Sequence, residues 1–247
     1  MNRVVSSYVT RDDRPLILAH RGASAVAPES TRAAIRAAVR LGADAVELDV
    51  QLTQDGRLVV YHDERLERTT DGAGRLRDTK FSALARLDAG RWFGPRFAGE
   101  RVLLASQALR LIPRRMGVNL ELKRTDRRER LMRPLLRLLA RVRHPGILLS
   151  SFDPRLLQLA RRSGCPLGLI TRHQPDRALS QAIRLRCASW HPFHRLVTAR
   201  RVRRAHAAGL RVHAWTVDDP GRARRLVRLG VDGLFTNNPA RLIRALQ

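Results

Sequence analysis

Two short motifs put an imidazole beside a charged neighbour: His20-Arg21-Gly22 and His62-Asp63. Glu47 and Asp49 are spaced i and i+2, and Asn119, Glu121 and Lys123 repeat that spacing later in the chain. On a strand, such spacing points the side chains to one face. Glu47, Asp49 and Glu121 on one rim would repel each other without a cation between them. Their donors are all oxygen, which suits one divalent cation, Mg2+ or Ca2+, rather than zinc. Two histidines nearby supply acid and base close to neutral pH. Arg21 and Lys123 add positive charge. A cation, two imidazoles and two cationic side chains form a setting for an anionic phosphoryl group. Each residue alone is unremarkable. Burying all of them without a task would cost too much to be idle.

These residues need a scaffold that aims them at one point. Eight short apolar runs recur, at 16–19, 45–50, 118–122, 147–150, 167–170, 187–190, 212–217 and 234–236. Most are continuous rather than alternating, as in parallel strands covered on both faces. Amphipathic helices fit between them, several with proline near the first position, as at Pro154, Pro175, Pro220 and Pro239. Repeated strand–helix units predict an α/β fold, a closed TIM-type (β/α)8 barrel, with the polar residues at the carboxyl-end rim.

One run breaks the alternation. Residues 58–62 follow Val50 too closely for a parallel crossover. An extra antiparallel hairpin strand is therefore expected, turning at Asp55-Gly56. With those two as the turn residues, Asp49 faces His62. A small insertion, about residues 63–115, then lies over one end of the barrel. The whole chain, 1–247, is expected to be one domain.

The chain has 48 Lys and Arg against 22 Asp and Glu, a net charge of +26, and only Lys80 and Lys123 are lysine. Its 44% hydrophobic content excludes global disorder. The arginines are spread out rather than gathered into a stripe with interleaved aromatics, so no specific nucleic-acid partner is expected. The charge does suggest capture of small anionic substrates and loose contact with an anionic membrane surface. No run approaches a spanning helix, and residues 1–10 lack an apolar core, so a cytoplasmic enzyme is expected. Cys165 and Cys187 have no metal-like spacing and are expected to be free thiols.

The motifs together resemble the glycerophosphodiester phosphodiesterases. His20-Arg21-Gly22 with Pro28-Glu29-Ser30-Thr31 looks like that family's HRG…PENT opening. Glu47-Leu48-Asp49-Val50, His62-Asp63, Arg68-Thr69-Thr70, Asp88-Ala89-Gly90, Asn119-Leu120-Glu121-Leu122-Lys123, Ser150-Ser151-Phe152 and Trp215-Thr216-Val217 continue the likeness, from about residue 16 to 246. The resemblance implies hydrolysis of glycerophosphodiesters to an alcohol and sn-glycerol 3-phosphate, in lipid and glycerol metabolism. It implies Glu47, Asp49 and Glu121 as metal ligands, His20 and His62 as the acid–base pair, and Arg21 and Lys123 as phosphate-binding cations. It implies Trp215, with Phe152, as a wall near the glycerol. The attacking oxygen would be water or the neighbouring glycerol hydroxyl.

Three departures stand out. Ser30 replaces an asparagine; Ser30 or Thr31 can cap the following helix, with Ser30 favoured because serine caps as well as asparagine. Ser106 and Gln107 replace two acids, so any contact made by those acids is lost. Asn237 replaces an aspartate in Thr236-Asn237-Asn238-Pro239, where a capping role predicts little change. Two other functions fit the same chemistry less well. One is a related barrel phospholipase or lysophospholipase. The other is a non-catalytic phosphate- or nucleic-acid-binding protein, against which the intact histidines, carboxylates and Lys123 speak.

Overall fold

A computed structural model describes residues 14–142 and 144–247. The stretch 1–10, read above as lacking an apolar core, lies outside them. Eight parallel strands close into a ring: β1 (Leu16–His20), β2 (Ala45–Leu52), β5 (Gly117–Leu122), β6 (Ile147–Ser151), β7 (Leu167–Thr171), β8 (Ser189–Pro192), β9 (Arg211–Ala214) and β10 (Gly233–Thr236). Pairing of β1 with both β10 and β2 closes it. Two further strands, β3 (Leu58–Val60) and β4 (Leu103–Leu104), extend β2 outside the ring in antiparallel fashion. The fold is the expected (β/α)8 barrel, and β4 is an addition that two residues were too short to announce.

Helices α1 (Arg32–Arg40), α2 (Phe81–Leu84), α3 (Ala105–Arg110), α4 (Arg128–Val142), α5 (Pro154–Ala160), α6 (Pro175–Arg184), α7 (Ala199–Ala207), α8 (Pro220–Arg228) and α9 (Pro239–Leu246) complete the chain. Their starts follow capping chemistry. Thr31, Asp153, Thr198, Asp219 and Asn238 accept backbone N–H bonds at the starts of α1, α5, α7, α8 and α9. Proline opens α5, α6, α8 and α9.

Strand alternation divides the interior. Val46, Leu48 and Val50 of β2 join the main core between strands and helices, while Ala45 joins a small cluster with Leu16, Leu18, Leu148 and Phe235. That second cluster fills the bottom of the lumen. Above it the lumen is polar, with Asn119, Ser150, Ser189, His191 and His213 all buried. A third cluster, around Tyr61, Leu66, Leu76 and Leu84, belongs to the segment between β3 and β5. Cys165 and Cys187 are free thiols.

Two local expectations are corrected. The β2–β3 pairing runs Val50 to Val60 and Leu52 to Leu58, so Asp49 faces Tyr61 rather than His62. The loop has three residues, not two. The Thr53 amide donates to the Arg57 carbonyl, and Gly56 takes the left-handed conformation (φ +74°) that such a loop requires at its third position. One extra loop residue shifts the pairing by one and reverses which face each side chain takes. The cap of α1 is also Thr31, not Ser30. Ser30 lies in the left-handed region (φ +62°), where asparagine is better tolerated than serine.

Candidate active site

The barrel register gathers the carboxylates. His20 on β1 pairs with Glu47 on β2, Glu47 with Asn119 on β5, and Asp49 with Glu121. Paired positions in parallel strands point the same way, so His20, Glu47, Asp49 and Glu121 share the lumen at its upper end. One oxygen from each of Glu47, Asp49 and Glu121 lies within 4.8 Å of the others. Glu47 and Asp49 are buried.

The trio is electrostatically loaded. Burial, with the charges of Asp49 and Glu121, pushes the Glu47 carboxyl well above its ordinary range. Burial and Asp49 push Glu121 up to about 7, against the pull of Lys123. Asp49 goes the other way. Its burial is outweighed by Lys123 and Arg21, which hold it ionised. Oε1 of Glu47 and Oδ2 of Asp49 are buried without a hydrogen-bond partner. Lone pairs left bare on buried carboxylates cost free energy that a divalent cation would recover.

Arg21 and Lys123 flank the trio. Lys123 Nζ lies 2.9 Å from Glu121 Oε1 and 3.3 Å from Asp49 Oδ1. The Arg21 guanidinium donates to Glu29 at 2.9 Å and lies 3.3 Å from Asp49 Oδ2, near enough for ion pairing but not aligned as a hydrogen bond. Its backbone amide donates to Glu47 Oε2 at 2.9 Å. That amide points inward because Arg21 itself is left-handed (φ +58°) and Gly22 follows at φ +81°. A Cβ on Gly22 would come within 2.7 Å of the Ala34 backbone. Only glycine lets the strand end turn this tightly against α1.

The two histidines arrive by different routes. His62 lies just past β3, where Gln51 Nε2 donates to the carbonyls of Tyr61, His62 and Asp63 at 2.8, 3.0 and 2.9 Å. This clasp bends the chain toward the site despite the shifted register. His62 Nδ1 bonds Asp63 Oδ1 at 2.5 Å, and Asp63 in turn accepts from Arg68, which also bonds Glu29. His20 Nδ1 bonds Asn237 Oδ1 at 2.8 Å. Asn237 is held by Asp218, which accepts its Nδ2–H at 2.6 Å and its backbone N–H at 2.7 Å. With Nδ2 committed to Asp218, the oxygen of Asn237 faces His20, so His20 carries its proton on Nδ1. Burial, reinforced by Arg21, lowers the His20 pKa to about 4. Burial also lowers that of His62, opposed by Asp49.

The aromatic residues stack beside this centre. Trp215 meets Phe152 edge-on at 5.5 Å, packs on Phe193 at 5.5 Å, and donates its indole N–H to the His191 carbonyl. Phe152 lines a cleft with Glu121 and Lys123. His20, Arg21, Glu47, Asp49, His62, Glu121, Lys123, Phe152 and Trp215 thus gather at one rim. Glu29, Gln51, Arg68, Asp218 and Asn237 support the centre and were not singled out for it. The expectation that Asn237 merely caps a helix is corrected: Asn238 caps α9, and Asn237 holds His20. Gln107 accepts the Leu104 amide at the start of α3 at 2.9 Å, so its amide serves the helix end.

A parallel barrel whose rim gathers three carboxylates between two histidines is built as a metal-dependent phosphodiester hydrolase. Residues 20–241 match the glycerophosphoryl diester phosphodiesterase family, and the chain belongs to it. It is 35% identical over 238 residues to a glycerophosphodiester phosphodiesterase of Caldanaerobacter subterraneus subsp. tengcongensis, covering 93% of this chain and 97% of that one. A Bacillus subtilis glycerophosphodiester phosphodiesterase is 32% identical, over 92% of this chain and 85% of the relative. Among solved structures, an Oleispira antarctica phosphodiesterase in complex with the product sn-glycerol-3-phosphate superposes with a TM-score of 0.90 at 32% identity, covering 98% of each chain.

Proposed function

We propose that this chain, acting as one domain, hydrolyses glycerophosphodiesters to an alcohol and sn-glycerol 3-phosphate, with the residues at the barrel rim in the following roles. The observation that carries the reading is the convergence of Glu47, Asp49 and Glu121 within 4.8 Å beside His20 and His62. The bare oxygens of Glu47 and Asp49 suit a hard divalent cation, Mg2+ or Ca2+, held by these three carboxylates. When bound, the cation supplies Lewis acidity and neutralises charge at the phosphoryl group.

Arg21 and Lys123 exchange carboxylate contacts for phosphate oxygens and orient the diester. His20, protonated on Nδ1, presents a bare Nε2 and takes the proton of the attacking oxygen. His62 has a carboxylate behind its Nδ1 and gives a proton from Nε2 to the departing alkoxide. This division follows from the unlike partners, a neutral amide for His20 and Asp63 for His62. Phe152 and Trp215 exclude water beside the glycerol. We read the enzyme as cytoplasmic, and its +26 charge supports loose contact with anionic lipid. Among the described residues, no helix is long and apolar enough to cross a membrane.

The test is release of glycerol 3-phosphate from soluble diesters, alongside release of the head group from lysophospholipid vesicles. EDTA should abolish release, and Mg2+ or Ca2+ should restore it. His20→Ala and His62→Ala should each lower turnover by at least ~100-fold. Full activity in chelator removes the cation from the reading. Near-normal turnover in both variants removes the histidine roles. Release from vesicles alone would make the enzyme a lipase.

A further inference from the structure

A cleft of about 670 Å³ opens from Glu121 and Lys123 past Phe152 to the loop between β7 and α6. That is far more room than a phosphate and a three-carbon glycerol fill. Glu121 is the only acid among the residues lining it. Arg124, Arg172 and Arg177 line it as well, and all three are exposed.

An arginine-rich chain will place arginines in any cleft, so presence alone says little. Pairing says more. Near the catalytic centre the arginines are already committed: Arg21 to Glu29 and Asp49, Arg68 to Glu29 and Asp63, and Arg128 to Asp153. Among the described residues, no carboxylate pairs with Arg124, Arg172 or Arg177. Arg177 reaches only the Gln174 side chain, at 3.4 Å. A neighbouring cleft beyond Lys123 differs, because Glu64 and Asp126 line it and Arg77 lies 3.7 Å from Asp126.

The aromatic wall points the same way. A cationic head group needs carboxylates or free aromatic faces. Here the Arg172 guanidinium already lies 5.6 Å from the centre of the Phe193 ring, which packs on Trp215. The protein supplies the cation at this wall itself. A quaternary ammonium would meet two or three guanidinium groups in its place.

Resting on the phosphodiesterase reading above, we propose that this cleft receives the leaving alcohol and selects for one that carries an anionic group, a carboxylate or a second phosphate, over a cationic one. Guanidinium groups pair with both anions, bidentately where geometry permits. The shared chemistry is an anion several atoms beyond the scissile phosphate. Arg172 and Arg177 read it, and Arg124 lies between them and the centre.

Four sn-glycerol-3-phosphodiesters test this, with choline, glycerol, glycerate or glycerol phosphate as leaving alcohol. Turnover is read on the native enzyme with its metal, and equilibrium binding on His62→Ala. The glycerate and glycerol phosphate diesters should exceed the choline diester by at least ~10-fold in kcat/KM and in affinity. Whichever of the two anions leads, the preference is for the anion. R172Q/R177Q should erase the advantage while leaving the neutral glycerol diester within ~2-fold of native. A control, R184Q/R228Q, removes the same charge from exposed positions in the last turns of α6 and α8, away from the rim. It should keep the advantage.

A choline diester cleaved and bound as well as the anionic ones overturns the proposal. So does an equal loss in both double variants, which would assign the preference to net charge alone. If no diester is cleaved, the phosphodiesterase reading fails instead, and the binding order on His62→Ala still decides the cleft.

Discussion

His20 and His62 are the same residue type in the same rim, yet a neutral amide backs one and a carboxylate backs the other. The tautomer of His20 depends on Asn237, and the orientation of Asn237 depends on Asp218. Asp218→Asn tests that dependence. Its amide oxygen can still accept from Thr236 and the Asn237 backbone, but its nitrogen would face Asn237 Nδ2. Asn237 would then rotate, offer His20 a donor, and drive the proton to Nε2. Turnover should fall ~10-fold with KM little changed, because the lost function is proton acceptance rather than binding. A rise in KM alone, or no change, would show that Asp218 does not govern His20. None of this was visible in the sequence. Positions 20, 218 and 237 meet only when the ring closes between β1 and β10, and spacing within one strand cannot report that meeting. The carboxylates were legible because i, i+2 spacing fixes their face within a single element.

Strands and helices show the same division. Continuous apolar runs announced the barrel strands, and proline and capping residues announced the helices. The β2–β3 register was not legible, because Asp55-Gly56 fits a two-residue loop as well as a three-residue one. Ser30 and Thr31 are both good caps by type, and only the left-handed backbone at Ser30 separates them. The β8 and β9 strands add a feature of their own, His191 and His213, whose rings lie 5.1 Å apart in the lumen. Burial lowers His213 to about 4, and burial with the charge of His213 lowers His191 well below the ordinary value. Both are therefore neutral when folded near pH 5, whereas the unfolded chain protonates them below about 6.5. The unfolded state binds more protons there, so stability rises with pH across this window and is lost as pH falls from about 6.5 to 4. For His213 the loss is ~3 kcal/mol at most. Urea midpoints across that range should fall more steeply in the native protein than in His213→Gln. Parallel slopes would mean that His213 is not held neutral.

At the scale of the whole molecule, the +26 charge no longer needs a nucleic-acid partner to account for it. A field of that sign surrounds a rim that processes anions, and such fields speed diffusional capture. Screening length shortens to roughly 3 Å at 1 M salt. For an anionic diester, kcat/KM should therefore fall with rising NaCl while kcat holds. Salt-independent kcat/KM would leave the charge without a catalytic part.

The segment between β3 and β5 keeps its own small core, apart from the one the barrel shares with its helices, and His62 stands at its edge. One half of the proposed acid–base pair therefore belongs to the ring, and the other to a lean-to built against it. A cluster this small opens at lower free energy than the barrel. On slow heating, turnover should fade while the helical signal is still whole, and cooling from that interval should return it in full.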